Sequence, residues 1–589
     1  MRIAVLLKDR CQPRTCSREC INFCPRVRLG DETIVMGEDG KPVISEDLCV
    51  GCGICVNKCP YDAIRIIGLP AELEGELVHQ YGMNGFRLYR LPVPKEGRVV
   101  GLLGPNGIGK TTILSILSGQ IIPNLGEYGT PPRWEPVLEK YKGTEIHDFL
   151  SKISKGETTV SVKPQYVDAL PKFHKGKVSE LLGKLTQGEH LKDWMDQLDL
   201  NAVSDRDMGH LSGGELQRVA LAATLLKDSD VLFVDEPSSY LDIHQRLSVA
   251  RIIRKEAKNR LVVVVEHDLA ILDFLCDQVH VMYGSQSAYG VLSQPKAVRS
   301  GINAYLVGYL KEENVRIRDK SIIFEPKPPR KEWEGYRVVT FEPLEMDLGT
   351  FKLETDQGAI HRGEVVGVVG HNATGKTTFV RALAGELMPT RGTIDAEVKV
   401  SYKPQYIKPE YGGTVEELFM EVLGYDFEDG FFQSEIEHPL ILKPLMKRDV
   451  KRLSGGELQR VSIALSLARE ADLYLLDEPS AYLDSSMRME AAKTIRRVME
   501  KRGKSGLIID HDVYFIDMVS DSIMVFGGVP SVHGMAEGPF EMRDGMNRFL
   551  KQVDITFRRD NETQRPRVNK EDSLLDREQK SSGEHYYAE

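Results

Sequence analysis

Short apolar runs, separated by longer polar and charged segments, recur along the whole chain. The run VVGLL at 99–103 and the run LVVVV at 261–265 have the length and β-branched content of buried strands. The segment AILDFLCDQVH at 270–280 instead spaces its apolar residues as a helix does. Buried strands that alternate with helices predict an α/β fold.

Length, composition and charge predict a protein of several ordinary globular domains. At 589 residues the chain exceeds one hydrophobic core, and roughly 150 residues per domain suggests three to five units. Hydrophobic residues make up 41% and charged residues 28%, a balance that excludes disordered and fibrous classes. The formal net charge of −10 argues against a uniformly basic coat for nucleic acid.

The apolar runs are too short to place the protein in a membrane. None approaches the ~20 residues that span a bilayer. The N-terminal stretch MRIAVLLKDRCQP lacks the long apolar core and cleavage site of a secretory signal. We therefore expect a strand at this end of the chain, a cytoplasmic location and no membrane partner.

Two phosphate-binding loops follow apolar runs and precede helical patterns. GPNGIGKT at 104–111 and GHNATGKT at 370–377 both fit G-x4-G-K-[ST]. In such a loop backbone amides cradle the phosphates, the lysine neutralises the β- and γ-phosphate charge, and the threonine hydroxyl reaches Mg²⁺. The predicted nucleotide-binding residues are Gly104, Asn106, Gly107, Gly109, Lys110, Thr111, Thr112, Gly370, Asn372, Gly375, Lys376, Thr377 and Thr378.

The repeat extends well beyond these loops. LSGGELQRV at 211–219 recurs at 453–461, and VLFVDEPSSYLD at 231–242 recurs as LYLLDEPSAYLD at 473–484. A KPQY motif also recurs, at 163–166 and 403–406. The distance from phosphate loop to KPQY motif is about 26 residues longer in the first copy than in the second. The stretch GTEIHDFLSKISKGE lies in that insertion and predicts an amphipathic helix that ends in a glycine turn.

Acidic residues and histidines that follow apolar strands supply the groups for hydrolysis of a phosphate bond. Asp235 and Asp477 end such strands and are predicted to hold Mg²⁺, and Glu236 and Glu478 are placed to orient or deprotonate water. The expected magnesium set, through oxygen ligands or water, is Thr111, Gln165, Asp235, Thr377, Gln405 and Asp477. The histidines that follow apolar strands, each before an aspartate, are His267 and His511. They are predicted to reach the γ-phosphate, the alternative being an ordinary satisfied hydrogen bond.

Aromatic residues recur ahead of each phosphate loop. Phe86 lies 18 residues before the first loop glycine and Phe351 lies 19 residues before the second, with Tyr81 near the first. Stacking on adenine is the predicted role. Packing in the core is the alternative for a single aromatic residue.

Eight of the nine cysteines lie before residue 60, in two closely spaced runs. The second run has the spacing C-x2-C-x2-C-x3-C-P, which is that of bacterial ferredoxins, and the first is a stretched relative. Disulfides need an oxidising compartment, and zinc sites usually use paired C-x2-C knuckles, so both alternatives are disfavoured. The resemblance to ferredoxins implies two [4Fe-4S] clusters. One would use Cys49, Cys52, Cys55 and Cys24, and the other Cys11, Cys16, Cys20 and Cys59.

The ordered motifs of each copy resemble the ABC-type ATPase cassette. In that family the LSGGE motif of one copy caps the nucleotide held by the phosphate loop of the other. The resemblance implies that Ser212, Gly213, Gly214, Ser454, Gly455 and Gly456 contact nucleotide across an intramolecular cassette pair. The second loop carries His371, Ala373 and Thr374 in place of Pro105, Gly107 and Ile108, so unequal kinetics are expected.

Together with the cysteine runs, the cassettes resemble the ABCE family of ribosome recycling factors, also called RNase L inhibitor. The resemblance covers nearly the whole chain and implies a monomeric Mg²⁺-dependent ATPase that splits ribosomes after termination or stalling. It implies contact with the small subunit, ribosomal RNA and proteins, and a release factor or Pelota-like factor. It also admits initiation factors as partners and gives no reason to expect DNA. An ATP-gated electron-transfer protein is the alternative, because ferredoxin-like clusters often carry electrons.

The expected domain organisation follows from the motifs and from this resemblance. We predict two ABC-type P-loop ATPase domains of α/β class and a small ferredoxin-like α+β domain. The predicted boundaries are 1–75 for the iron-sulfur domain, 76–300 for the first ATPase domain with a helix-turn-helix insertion near 140–160, 301–325 for a first hinge, 326–544 for the second ATPase domain, 545–570 for a second hinge and 571–589 for a disordered tail.

Overall fold

The computed structural model describes residues 2–186, 188–324, 336–395, 398–405, 410–424 and 429–586. The stretch EPKPPRKEW at 325–333, whose prolines and charges predict an exposed linker, lies outside these residues. Within the described ranges every helix is too short or too polar to cross a membrane.

The N-terminal domain consists of two small sheets and three short helices around the cysteines. Arg2–Leu6 pairs antiparallel with Ile64–Gly68, and Ile34–Met36 pairs with Pro42–Ile44. The helices are Glu19–Asn22, Pro25–Arg28 and Ile54–Lys58. This domain meets the first cassette, predicted at residues 76–300, at Asn84.

The joint at Asn84 is polar and buried. The Asn84 side chain accepts from the amide of Ile44 at 2.8 Å and donates to the carbonyls of Ile44 and Ala4 at 2.9 and 3.0 Å. Beside it, Arg87 and Glu46 form an ion pair at 2.8 Å. Because a buried polar group is costly without partners, this network fixes the domain on the cassette.

Each cassette is built on a mainly parallel sheet. In the first, the path of adjacent strands is Leu77–Gln80, Arg87–Tyr89, Tyr289–Leu292, Gln278–Ser285, Val99–Leu103, Leu261–Val265, Val231–Asp235 and Val160–Lys163. A short strand, Lys296–Ala297, pairs with Gln278–Ser285. The helices are Lys110–Leu117, Trp134–Tyr141, Glu145–Lys155, Leu170–Phe173, Val178–Gly183, Glu189–Gln197, Gly213–Leu225, Ile243–Glu256 and Leu269–Leu275.

The second cassette, predicted at residues 326–544, repeats this strand order in the part of it that the structure describes. Its path is Leu344–Asp347, Lys352–Thr355, His533–Glu541, Ser522–Val529, Val365–Gly370, Ser505–Ile509, Leu473–Asp477 and Val400–Lys403. A separate sheet pairs Gly358–His361, Arg337–Phe341 and Ile394–Asp395. The helices are Lys376–Leu383, Val415–Leu423, Gly430–Phe432, Gly455–Ala468, Ser485–Arg502 and Val513–Val519, with a π-helical turn at Gln433–Glu437.

Strand register brings the catalytic candidates to one edge of each sheet. Asp235 pairs with Val265, the last residue of the neighbouring strand, and Asp477 pairs with Ile509. The acidic pair and the downstream histidine of each copy therefore lie side by side. In open α/β sheets, ligands bind at this carboxyl edge.

The insertion in the first cassette is a pair of helices, Trp134–Tyr141 and Glu145–Lys155, joined by a three-residue turn. The amphipathic helix predicted from the sequence is confirmed, and it ends at Gly156 with a φ of 70°. Its partner helix begins earlier than the predicted range near 140–160. Ile146 and Leu150 are buried in the cassette core, so the insertion is anchored and not a detached arm.

The start of each predicted hinge lies inside a continuous helix, Val298–Val307 or Met542–Gln552. The repeated glycine in these helices permits close packing on a strand. A Cβ atom on Gly301 would lie 2.3 Å from Val279, and one on Gly545 would lie 2.5 Å from Ile523. The predicted boundaries at 301 and 545 thus fall within helices, at glycines that pack closely against a strand.

The remainder of the two predicted hinges forms hairpins that tie the cassettes together. The hairpins pair Tyr309–Leu310 with Val315–Arg316 and Phe557–Arg559 with Pro566–Val568. Arg565, which is fully buried, donates to Asp273 of the first cassette at 2.9 Å and to the Tyr514 hydroxyl of the second at 2.7 Å. Asn303 and Asp560 connect the two segments at 3.0 Å.

The prediction of a disordered tail is wrong for the described residues. Leu574–Ser582 is a helix capped by Ser573, and His585 and Tyr586 after it are buried. Polar side chains order the segment, since Gln579 donates to the carbonyl of Phe557 at 3.0 Å. Residues 587–589 lie outside the described ranges.

Candidate nucleotide cleft and cysteine centres

Each phosphate loop leads into a helix whose N-terminal amides face the cleft. The helices Lys110–Leu117 and Lys376–Leu383 follow Gly109 and Gly375, whose φ angles of 95° and 93° are strained for residues with a Cβ. Unpaired amides at a helix N-terminus bind anions. Both loops therefore have the backbone geometry that phosphate groups require.

The loop lysines are buried and already hydrogen-bonded. Lys110 donates to the carbonyls of Gly104 and Pro105 at 2.8 and 2.7 Å, and Lys376 donates to those of Gly370 and His371 at 2.9 and 2.6 Å. Burial lowers the pKa of both ammonium groups. Phosphate oxygens would supply the opposite charge that these sites need.

The expected magnesium ligands lie beside the loops in both copies. The Thr111 hydroxyl donates to Asp235 at 3.2 Å, and that of Thr377 donates to Asp477 at 2.7 Å. Burial and the adjacent glutamate raise the pKa of each aspartate to about 6. Asp477 Oδ1 is buried without a hydrogen-bond partner, which fits a cation beside it.

Each catalytic glutamate candidate is held by the glutamine of the KPQY motif. Gln165 Nε2 donates to Glu236 at 2.6 Å, and Gln405 Nε2 donates to Glu478 at 2.6 Å. The side-chain nitrogen of each glutamine therefore bonds to the glutamate. Its side-chain carbonyl oxygen remains available, and oxygen is the ligand atom that magnesium prefers. The glutamates have φ angles of 50° and 47°, an uncommon conformation that aims the carboxylate.

The histidines lie against these glutamates. His267 Nε2 is 3.6 Å from Glu236 and His511 Nε2 is 3.5 Å from Glu478. Both Nε2 atoms are buried and make no hydrogen bond to a described residue. A phosphate oxygen at this position would supply the missing hydrogen-bond partner.

The signature motifs cap helices that point toward the cleft. Ser212 caps Gly213–Leu225 and its hydroxyl donates to Glu215 at 2.8 Å, while Ser454 caps Gly455–Ala468 and donates to Glu457 at 2.9 Å. The hydroxyls are therefore turned inward to their own helices. To contact phosphate, each serine hydroxyl must break its hydrogen bond to the glutamate and donate to a phosphate oxygen instead.

One cavity of about 1630 Å³ brings the two copies together. It is lined from one side by Lys110, Glu236 and Ser212 and from the other by Lys376 and Glu478. The predicted residues that also line it are Tyr81, Phe86, Asn106, Gly107, Gly109, Thr111, Thr112, Gln165, Gly213, Gly214, Asp235, His267, Asn372, Gly375, Thr377, Thr378, Gln405, Ser454, Gly455, Gly456, Asp477 and His511.

The aromatic candidates divide into two groups. Tyr81 is 47% exposed, lies beside Phe86 with a ring separation of 6.4 Å, and contacts Thr112 at 3.3 Å. That position suits an adenine ring. Phe351 packs against the backbone of Gly375 and is not among the residues that line the cavity, so packing explains it as well as stacking does.

Sequence reasoning missed the aspartates that join the cassettes. The amide of Asn372 donates to Asp242 at 2.8 Å, and the amide of Asn106 donates to Asp484 at 3.0 Å. Each aspartate therefore touches the phosphate loop of the other copy. The sequence signal that could have identified these aspartates is the YLD that ends both repeated motifs, at 240–242 and 482–484.

The cysteines form two separate groups, each lining its own small cavity. Cys11, Cys16, Cys20 and Cys59 line one, and Cys24, Cys49, Cys52 and Cys55 line the other. None of the eight forms a disulfide. Burial and neighbouring thiols raise the pKa of Cys20 to about 12 and of Cys55 to about 11, and a bound metal would stabilise the thiolate forms of both.

Protein prepared without oxygen should contain about eight irons, and Cys59→Ser should lower that number to about four. Cys59 lies in the second cysteine run but lines the cavity of the first. Iron analysis and electron paramagnetic resonance provide the measurement. Cys276→Ser, which alters a buried cysteine outside both groups, is the control. Retention of both clusters in the Cys59 variant would contradict this grouping.

Comparison with known protein families agrees with this architecture. The family described as "ABC transporter" matches residues 94–239 and 353–481. A "Possible Fer4-like domain in RNase L inhibitor, RLI" matches residues 1–32, and a "4Fe-4S binding domain" matches residues 42–65.

Full-length relatives are similar over the entire chain. An ABC transporter ATP-binding protein of Methanocaldococcus jannaschii is 50% identical, covering 100% of this chain and 98% of the relative. Translation initiation factor RLI1 of Saccharomyces cerevisiae is 43% identical with the same coverage. The archaeal ABCE1 chain in a "Model of ribosome-bound archaeal Pelota and ABCE1" is 51% identical, covers 100% of this chain and 99% of its own, and has a TM-score of 0.95.

The fold and the sites define a twin-cassette ATPase of the ABC class with an N-terminal iron-sulfur domain. It uses ATP and Mg²⁺ and carries [4Fe-4S] clusters. The chain belongs to the ABCE1 family, also known as RNase L inhibitor. The predicted family, fold class and cofactors are thereby confirmed.

Proposed function

We propose that this protein uses ATP-driven closure of its two cassettes to split ribosomes into subunits. The observation that carries the proposal is the composite cleft, which both phosphate loops and both signature motifs line and across which each loop accepts contact from an aspartate of the other cassette. Closing such a cleft moves two lobes, one of which bears the iron-sulfur domain. Support comes from two solved relatives, an archaeal ABCE1 bound to a ribosome with Pelota and an archaeal recycling factor in complex with stalk protein aP1.

The residues of each cleft divide the work of hydrolysis. The loop amides and Lys110 or Lys376 bind the β- and γ-phosphates. The groups placed to hold Mg²⁺, which would neutralise phosphate charge, are Thr111, Gln165, Asp235, Thr377, Gln405 and Asp477. The paired glutamate accepts a proton from water, and the histidine beside it contacts the γ-phosphate.

The two sites differ in how the glutamate is held. The Ser239 hydroxyl donates to Glu236 at 3.0 Å, whereas Ala481 occupies the equivalent position beside Glu478 and offers no donor. A neighbouring His511 lowers the pKa of Glu478 against the opposing effect of burial. These differences support the unequal site kinetics that the sequence predicts.

The iron-sulfur domain is placed to act as a rigid lever. Its joint residue Asn84 lies between Tyr81 and Phe86, the two aromatic residues placed for adenine. Nucleotide binding and the position of the domain therefore share one short segment of chain. The clusters order a domain that is too small to be stable on apolar burial alone.

The partners follow from this activity. We infer contacts with the small ribosomal subunit through its RNA and proteins, and with a release factor or Pelota-like factor. Ribosomes place the activity in the cytoplasm.

The test is a splitting assay with purified ribosomes, ATP and the cluster-loaded protein, resolved on sucrose gradients. We expect subunits to appear only when ATP can be hydrolysed or can hold the cassettes closed. Intact ribosomes under all nucleotide conditions, together with ATP-dependent reduction of an electron acceptor, would instead favour the electron-transfer function.

The insertion is expected to contribute to ribosome binding without affecting basal ATPase activity. Lys142 and Lys155 lie on its exposed surface, and reversing both charges should weaken binding to phosphate-rich RNA by about tenfold or more. Deleting the segment would expose the core, because Ile146 and Leu150 are buried. Co-sedimentation with small subunits measures binding, with Lys258→Glu as the exposed control in the same cassette. Equal binding by the charge-reversed protein would assign the insertion a structural role.

A further inference from the structure

Three side chains suited to metal binding meet where the cassettes touch. Asp242 and His244 belong to the first cassette, and His371 is the second residue of the second phosphate loop. Asp242 is buried, His371 is half-buried and His244 is exposed. One potential ligand atom from each residue lies within 4.8 Å of the other two.

The carboxylate of this cluster is fixed before any metal binds. Asp242 accepts one backbone amide on each oxygen, from Asn372 at 2.8 Å and from Gln245 at 3.0 Å. A carboxylate oxygen has two lone pairs, so each retains capacity for a metal. His371 Nδ1 lies 3.8 Å from Asp242, and the rings of His371 and His244 are 5.5 Å apart.

Charged groups surround the three residues. Metals bind the neutral imidazole of a histidine, which offers a nitrogen lone pair. Lys376 and Arg251 add positive charge nearby, and Asp199 adds negative charge to that of Asp242. A cation at this position therefore depends on Asp242.

The second cassette contact provides a comparison within the same molecule. There Asp484 accepts the amide of Asn106 at 3.0 Å, just as Asp242 accepts that of Asn372. Ser486 stands in place of His244, and Pro105 stands in place of His371. Phosphate binding by the loop uses backbone amides and therefore does not explain a histidine at position 371.

We propose that Asp242, His244 and His371 bind a divalent first-row metal, with Zn²⁺ as the matching ion, at this one of the two cassette contacts. Two imidazoles and a carboxylate form a zinc-type donor set, whereas Mg²⁺ and Ca²⁺ prefer oxygen ligands. Zinc bonds of about 2.0–2.1 Å bring ligand atoms to roughly 3.4 Å from one another. Rotation of the exposed His244 side chain supplies the remaining approach.

The metal would stabilise the closed cassette pair. Its ligands come from both cassettes, so binding and closure favour each other by thermodynamic linkage. Nucleotide held by the second phosphate loop should then be released more slowly, by about tenfold. This effect is separate from ribosome splitting and does not require it.

The test uses cluster-loaded full-length protein, stripped of loosely bound metal and dialysed against Zn²⁺. We expect about one zinc in addition to the cluster iron. The variants His244→Ser and His371→Pro, which copy the residues at the other contact, should each weaken zinc binding by about tenfold or more. Unchanged iron content and cluster spectra show that the variants are folded. Equal zinc binding by wild type and both variants, or no binding below millimolar Zn²⁺, overturns the proposal.

A second measurement examines closure directly. Release of a fluorescent ATP analogue is followed with and without Zn²⁺. Zinc should slow release from the wild type and leave the His244→Ser variant unchanged. An equal zinc effect on both proteins would place the ion elsewhere and refute this site.

Discussion

Replacing Glu236 or Glu478 with glutamine is expected to trap ATP between closed cassettes and to slow hydrolysis at that site by about 10²–10⁴-fold. Glutamine keeps the shape of the side chain but cannot accept a proton from water. The substitutions leave Lys110 and Lys376, which bind the phosphates, unchanged, so ATP should still bind. The measurement is single-turnover hydrolysis combined with retention of nucleotide during gel filtration.

The two substitutions should have different consequences for total turnover. Glu236 accepts hydrogen bonds from Gln165 and Ser239. Glu478 accepts the equivalent bond from Gln405 but has no counterpart to the serine, because Ala481 occupies that position. Ser239→Ala makes the first site resemble the second and is the matched control, with a change in rate much smaller than that of Glu236→Gln. Unaltered hydrolysis in both glutamine variants would show that neither glutamate is the base.

The phosphate-binding half of each cleft could be predicted from sequence because its chemistry is local. Gly109 and Lys110 follow a strand and open a helix, and this short order of residues is sufficient to fix an anion site. The cysteine grouping across the two runs, which the resemblance to ferredoxins implies, agrees with the two cavities. Repetition of the motifs added certainty about which residues act together.

The features that could not be predicted depend on contacts between segments that are far apart in the sequence. Asp242 reaches the loop of the other cassette, and no local pattern states which loop it meets. The first hinge was predicted to begin at residue 301, yet Gly301 packs a helix on Val279. The tail appeared disordered by composition, but Gln579 finds a backbone partner 22 residues away in the chain. In the tail, polar side chains order the segment through specific hydrogen bonds, which amino-acid composition does not reveal.

The coexistence of clusters and ATP sites in one chain has a mechanical explanation. The cassettes are tied by Arg565, which contacts Asp273 and Tyr514 from the two sides. Closure around nucleotide must therefore pivot near that tie. The iron-sulfur domain is fixed to the first cassette through Asn84 and is carried by the movement.

Loosening this joint should separate ATP hydrolysis from ribosome splitting. Asn84→Gly removes the hydrogen bonds to Ala4 and Ile44 but tolerates the local φ of 54°, which an alanine would not. Each lost bond costs about 1 kcal/mol, and the buried partners in the domain are left unpaired. We expect ATP turnover close to that of the wild type and splitting reduced about tenfold or more.

The matched control is Asp572→Gly, which alters an exposed residue at positive φ, 57°, outside the iron-sulfur domain and outside both hairpins. Splitting is measured on sucrose gradients under anaerobic conditions, while the cluster spectrum is recorded during turnover. A mechanical role requires that the spectrum stay constant, because the domain moves without exchanging electrons. Normal splitting by the Asn84 variant would show that the joint does not transmit force. Oxidation or reduction of a cluster in proportion to each ribosome split would replace the mechanical role with a redox one.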